Sequence, residues 1–374
     1  MTLQPNAEQR SLLQSIDDYL LETASTDVLR RLAMDGPRLD RELWRQLAEF
    51  GWTTLLVPEA RGGGSLSENP YADLAMLAEV SGKRVAPGPL VPANIVAAAL
   101  ASTPDGRLDS TLEGIIDGSI VPVWAIAEGL GSFDPADVSA SATADGEDVV
   151  LTGTKRFVES APDADVILVV VREGDGLAQY LVERSTPGIT IDVQQGLDPS
   201  RSYGSVVLDH VRVSATMRVG PEGPADEQVA HLLDVAVALQ CAETVGLITH
   251  VWEFTLEWMN NRFAFGRPIG SYQALKHRLA DHKLWLEASY GLLEGLVAAL
   301  GSADPDARRI ASLTKAHVGE TSVALVSDST QLHGGIGVTW EHDLHLYLRR
   351  ATANRSLYGS PGQHRERLCV LAGL

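Results

Sequence analysis

The 374-residue chain is 45% hydrophobic, with a mean hydropathy of +0.01 and a formal net charge of −19. That length exceeds one ordinary core and calls for two or three domains. A pI of about 4.9 excludes a general nucleic-acid surface, whose grip comes from basic side chains neutralising phosphates.

Residues 1–118 read as a helical domain. Leu12, Leu13, Ile16, Tyr19 and Leu20 share one face, and Leu39, Leu43, Leu47 and Phe50 continue the pattern. Pro58–Ser67 is a glycine-rich turn; its run Arg61 to Gly64 lacks the spaced glycines and preceding strand of a nucleotide-binding loop. Helical spacing resumes over Tyr71–Val85. The stretch Gly88–Ala101 is apolar but contains prolines and is shorter than a membrane span. From 119 to 222 the period becomes alternating or continuously β-branched, with strands expected at 120–126, 149–151, 166–171, 179–182, 189–193 and 205–213. Glycine, proline, aspartate and serine separate them, which fits a compact antiparallel β-barrel. Gly220, Pro221, Gly223 and Pro224 return the chain to helix, and 223–374 is helical with breaks at 266–270, 302–306 and 333–337. The class is therefore α+β. Two cysteines, Cys241 and Cys369, and an opening MTLQPNAEQR without a basic and apolar leader lead us to expect a cytoplasmic protein.

The most informative stretch is Asn260–Lys283, where Val245, Ile248, Trp252, Thr255 and Met259 form the stripe leading in. Gly266 is expected to stop that helix and Ser271 to cap the next. Between 262 and 283 lie Arg262, Arg267, Lys276, Arg278 and Lys283, against Asp281 alone. On spacing alone this is a solvated basic face; it is also what an anion site for a phosphate ligand requires, since guanidinium groups pair with phosphate oxygens.

Arg262, Phe265, Gly266, Pro268, Ile269, Gln273, Leu279, Ala280 and Asp281 match the R-x-x-F-G-x-P-I-x-x-x-Q…L-A-D pattern. This stretch resembles the first signature of the acyl-CoA dehydrogenases. A second block, Gln331–Gly337 (QLHGGIG) followed by Arg349-Arg350, resembles the second. The resemblance implies the acyl-CoA dehydrogenase fold, with a helical N-terminal domain, a central β-barrel and a C-terminal four-helix bundle. It also implies FAD as cofactor, an acyl-CoA substrate and an electron-transferring flavoprotein as acceptor. Arg262 would contact the pyrophosphate, Phe265 pack on the adenine end, and Gln273 hydrogen-bond the cofactor. Gln331, Gly334 and Gly335 would form the facing half from another subunit, so at least a dimer is implied. Phe157 keeps the aromatic residue of the family's Lys-x-Trp-Ile-Thr strand, but the two threonine positions that usually touch flavin are Ala127 and Glu159.

Dehydrogenation needs a carboxylate for the α-proton. The family's C-terminal Tyr-Glu-Gly-Thr turn is Leu357-Tyr358-Gly359-Ser360 here, placing Tyr358 at the base position, and the alternative site on the preceding helix is Ala236. Glu243, two turns beyond Ala236, is the candidate base, with helix packing as its ordinary alternative; Asp234 reads as a dipole-compensating acid. His333, His345 and His364 have no metal-ligand spacing. The tail GSPGQHRERL resembles actinobacterial α2β2 subunits acting on steroid side-chain thioesters, in which a homologous partner supplies the base. The expected activity is FAD-dependent desaturation of a bulky or fatty acyl-CoA, by a homo-oligomer or one half of a heteromer. The rivals are a non-catalytic subunit completing a partner's flavin site and a flavin oxidase or monooxygenase on the same fold.

Overall fold

β-Branched and small residues dominate the middle of the chain and build one eight-stranded sheet there. The structure, a computed structural model, describes residues 4–36 and 39–374 and divides into two units, each with its own core.

The sheet unit comprises Arg31–Leu74 and Pro87–Ala236. Its strands are β1 (Pro122–Ala125), β2 (Ser141–Asp145), β3 (Asp148–Glu159), β4 (Val166–Glu173), β5 (Gly176–Glu183), β6 (Ile189–Gln194), β7 (Tyr203–Ser214) and β8 (Arg218–Val219). They pair in the order β6-β7-β3-β2-β4-β5-β8, and β1 adds in parallel to β4. No pairing joins β6 to β8 among the described residues, so the hydrogen bonding does not close the expected barrel; the sheet is open and twisted around a core of Val149, Leu151, Val169, Val206 and their neighbours. The six expected strands are present, and β3 runs on to Glu159. β2 and β8 were not legible: β2 is SATAD, almost without β-branched residues, and is held by antiparallel pairing with the adjacent β3 rather than by its own apolar pattern. α1 (Ala7–Thr23) belongs to the helical unit; after α2 (Thr26–Asp35) comes α3 (Arg41–Glu49), which Asp40 caps by accepting from the Glu42 and Leu43 amides. After α4 (Pro70–Arg84), α5 (Leu90–Ala101) is buried all round and packs on β1.

The helical unit comprises Met1–Arg30, Ala75–Ala86 and Val237–Leu374. It contains α7 (Asp226–Asn261) from residue 237 onward, α8 (Gln273–Gly301), α9 (Ala307–His333), α10 (Leu344–Ser356) and α11 (Pro361–Leu371), with α6 (Asp109–Ile116) belonging to the sheet unit. α7 is long and apolar enough to cross a membrane, but 94% of its apolar window is buried, which makes it a core helix. Of the expected stripe, Val245, Ile248, Thr255 and Met259 are fully buried and Trp252 is half-buried. Where α4 and α7 cross, no side chain separates them. A Cβ on Gly82 would lie 1.7 Å from the Glu243 carbonyl oxygen, and one on Gly246 would lie 2.0 Å from that of Glu79.

Three local expectations are corrected. α7 ends at Asn261, five residues before Gly266, which instead shapes a hairpin turn. Ser271 does not cap α8; the helix starts after Tyr272, and the Ser271 hydroxyl donates back to the Pro268 carbonyl at 2.7 Å. Asp234 lies beyond the first turn of α7, where Asp226 and Glu227 sit, and is buried, so it is not a dipole-compensating acid.

Candidate functional site

In the helical unit, a short hairpin follows α7: β9 (Phe263–Ala264) pairs with β10 (Arg267–Pro268). Phe265 and Gly266 form its tip with φ of +52° and +81°, the double positive φ of a type I′ turn. The Tyr272 hydroxyl donates to the Ala264 carbonyl at 3.0 Å, and the Arg267 guanidinium stacks 4.0 Å from the Tyr272 ring centre. The hairpin is thereby fixed, with Phe265 97% exposed at its tip. Of the five cations, Arg278 is paired with Asp328 and Lys283 with Glu287. Arg262, Arg267 and Lys276 have no carboxylate partner among the described residues and are exposed. The basic stretch thus keeps three cations for an external anion.

The second block approaches the first from the end of α9. His333, buried there, stacks on Trp258 of α7 at 5.2 Å, and the Arg262 guanidinium lies 5.8 Å from the same indole. Leu332 packs with Met259 and Leu279. Gln331 and Gln273 are exposed. Gly334 ends α9 with φ of +67°, and a Cβ on Gly334 or Gly335 would meet nothing within 4 Å. The backbone of Gly334, with ψ of −145°, itself requires glycine, whereas neither backbone nor packing demands Gly335; the bare main chain at both is open to a group from outside.

Phe157 belongs to the sheet unit. A register shift between Lys155 and Val158 breaks the alternation of β3, so that Lys155 and Val158 are buried while Phe157, with φ of +53°, is turned outward and 40% exposed. Its amide donates to the Gln194 side chain at 2.9 Å. Lys155 Nζ donates to Glu128 Oε1 at 2.5 Å, tying the Ala127-Glu128-Gly129 stretch to this strand. Burial raises the Glu128 carboxyl, but the Lys155 charge, the Ser139 hydroxyl and the Ala140 amide outweigh it and hold the group below the usual carboxylate range. Sequence reasoning matched both stretches and missed the pair that joins them.

Glu243, in the helical unit, is fully buried. Its Oε1 accepts from Arg350 Nη1, and its Oε2 accepts from Gln240 Nε2 at 2.7 Å and Asn354 Nδ2 at 3.2 Å. Arg350, itself fully buried, also donates to the carbonyls of Val85 and Ala86 at the end of α4. Lys315 donates to the Asn354 carbonyl, and burial pushes its amine down to about 8 although Cys241 and Glu243 oppose the shift. The C-terminal turn carries no carboxylate: Tyr358 and Gly359 have φ of +58° and +104°, and Tyr358 is 5% exposed. A Cβ on Gly359 would lie 2.7 Å from His364 Nε2, so His364 fills the volume that a side chain at 359 would need. Arg350 was legible as part of the second signature, but its partnership with Glu243 spans 107 residues and leaves no local pattern.

Three segments match models of one family: residues 6–104 match the acyl-CoA dehydrogenase N-terminal domain, 124–211 its middle domain and 227–369 its C-terminal domain. The chain belongs to the acyl-CoA dehydrogenase family, flavoprotein oxidoreductases acting on acyl-CoA whose cofactor is FAD. It is 30% identical to acyl-CoA dehydrogenase IpdE2 of Mycolicibacterium smegmatis, over 97% of this chain and 98% of that one. Its structure is similar to a variant of the Tcur3481–Tcur3483 steroid ACAD, with a TM-score of 0.88, 29% identity and 98% of both chains covered. Similarity to the ChsE4–ChsE5 complex of Mycobacterium tuberculosis, with a TM-score of 0.87 at 24% identity over 100% of this chain and 99% of that one, reflects the shared fold. The residues present fit FAD: an exposed trio of cations suits a diphosphate, and the open Gly334-Gly335 backbone suits close approach by a phosphate or ribose.

Proposed function

We propose that this chain takes part in FAD-dependent α,β-dehydrogenation of an acyl-CoA thioester as one subunit of a heteromer, and that a homologous partner supplies the catalytic base. The observation that carries this reading is the commitment of Glu243. A base must reach the substrate proton with a free lone pair, whereas both oxygens of Glu243 are bonded inside the protein and the residue is fully buried. The name of the Tcur3481–Tcur3483 steroid ACAD favours a steroid-derived acyl group and a two-product assembly. The domain roles follow the segments 1–118, 119–222 and 223–374, the location is the cytoplasm, and the acceptor is an electron-transferring flavoprotein.

Arg262, with Arg267 and Lys276 beside it, would neutralise the cofactor diphosphate. Gln273 and Gln331 would hydrogen-bond the cofactor, Gly334 and Gly335 would offer backbone amides, Phe265 would cover the adenine end, and Phe157 would supply an aromatic platform for the ring system. Bound FAD would accept the hydride that leaves the substrate β-carbon. Ala127 and Glu159, which lack the family's hydroxyls, favour a second reading in which the chain completes a partner's flavin site without turning over substrate itself.

The test is to purify the chain alone and with its homologous partner, then add octanoyl-CoA or a steroid side-chain acyl-CoA under anaerobic conditions and follow flavin absorbance. We expect the complex to bleach, and E243Q within it to bleach at a rate within a few-fold of the parent. Loss of bleaching in E243Q with FAD retained would return the base to this chain. A complex whose bleaching is unaffected by removing this chain's flavin-contact residues Arg262 and Gln273 would mark a structural subunit.

A further inference from the structure

The sheet unit holds a buried ion pair that the dehydrogenation scheme leaves unused. Glu159, the last residue of β3, is 4% exposed, and Arg201 is 2% exposed with its Nε 3.2 Å from Glu159 Oε1. The surroundings are polar and fixed: the Ser160 amide donates to the Ser202 carbonyl at 2.8 Å, and the Ser202 hydroxyl donates to Asp163 at 2.7 Å. Taking two charges out of water is costly, and an apolar pair of similar volume would serve bare stability as well. Glu159 lies two residues along β3 from Phe157, inside a unit where charges are poorly screened.

We propose that Glu159 and Arg201 form one charge-compensated unit, each charge cancelling the shift that the other alone would impose on the reduction potential of a flavin carried over Phe157; this rests on the flavin reading above. Reduction adds electron density to the flavin ring. A lone carboxylate near the flavin opposes that gain and a lone guanidinium favours it, so the two charges act with opposite sign and cancel when both are present. Glu159 is tolerated in a position occupied by a neutral hydroxyl in the family pattern because Arg201 balances it. Both are positioning residues: neither is required to touch substrate.

The experiment is a spectroelectrochemical titration of the FAD-loaded complex carrying R201M, E159Q or E159T/R201M, with FAD dissociation measured by fluorescence on the same samples. We expect R201M to move the potential in the negative direction, E159Q to move it in the positive direction, and E159T/R201M to return it to near the parent value. If R201M does not fold, the opposite placement of E159Q and the return of the double variant decide the matter. Bound FAD with the parent potential in E159Q, or shifts of the same sign in both single variants, would overturn the proposal. Absence of FAD from the parent complex would overturn the flavin reading instead, and this proposal with it.

Discussion

Arg350 has no contact with water, and every direction in which its guanidinium points is occupied by an acceptor: Glu243 on one side and the carbonyls of Val85 and Ala86 on the other. Removing one member of such a pair strands the other as a buried charge. R350M is therefore expected to destabilise the chain by about 3–5 kcal/mol, whereas E243M/R350M, which removes both charges, recovers most of that loss. Urea unfolding of the two variants checks it; equal losses would show that the charges act independently. The sequence marked Glu243 correctly as an acid on a buried helix face, because neighbours such as Leu239, Cys241, Ala242 and Val245 are local. Its partner was invisible because side-chain pairing across 107 residues depends on helix placement, which periodicity does not encode. Phe265 went the other way. Its composition suggests a core residue, yet a left-handed backbone at a hairpin tip exposes it.

That hairpin is the element on which sequence and structure are most instructive together. The motif residues Phe265-Gly266 are legible in the sequence, but the turn they form is not, since a glycine after an apolar stripe serves equally as a helix stop and as a hairpin turn. A left-handed conformation costs a non-glycine residue about 1–2 kcal/mol, so a phenylalanine there signals a use outside the folded chain. F265G is expected to leave the melting temperature of the isolated chain unchanged or slightly higher while weakening FAD retention severalfold, measured by fluorescence on dilution. Unchanged FAD retention would remove Phe265 from the cofactor reading. The α4–α7 crossing makes a second prediction at this scale. G82A and G246A each place a methyl group inside a backbone carbonyl, and are expected to cost at least the 1–3 kcal/mol typical of overpacking; chemical denaturation would detect it.

For the whole molecule, buried ionisable groups dictate how stability follows pH. Burial pushes His250, His282 and His364 down to about 4; nearby Arg84 adds to this at His250, Arg278 at His282, and Lys315 at His364, where the Tyr358 carbonyl opposes it. The unfolded chain binds protons at these sites from about 6.5 downward while the native chain does not. Their contribution to stability is complete above that value and is lost as pH falls toward 4. Glu79 has the opposite sense: burial, reinforced by Glu294 and opposed by the Tyr290 hydrogen bond, raises it to about 8. Its contribution is complete below about 4.5 and is lost as pH rises toward 8. The melting temperature of E79Q relative to the parent is therefore expected to climb between pH 5 and 8; a flat difference would mean that Glu79 is solvated.

Domain class and most strands were readable because each rests on a local period. Sheet closure was not, since whether β6 meets β8 is settled by accumulated twist and not by any single strand. The bare crossing of α4 and α7 carries a further implication for how this protein can change shape. With only main chain between them, the two rods are keyed in register: a slide by one turn along either axis would bring a residue with a side chain against the opposing peptide group. Shear between them is thereby forbidden, and adaptation to a larger or smaller acyl group must come from side chains and loops that lie off this seam.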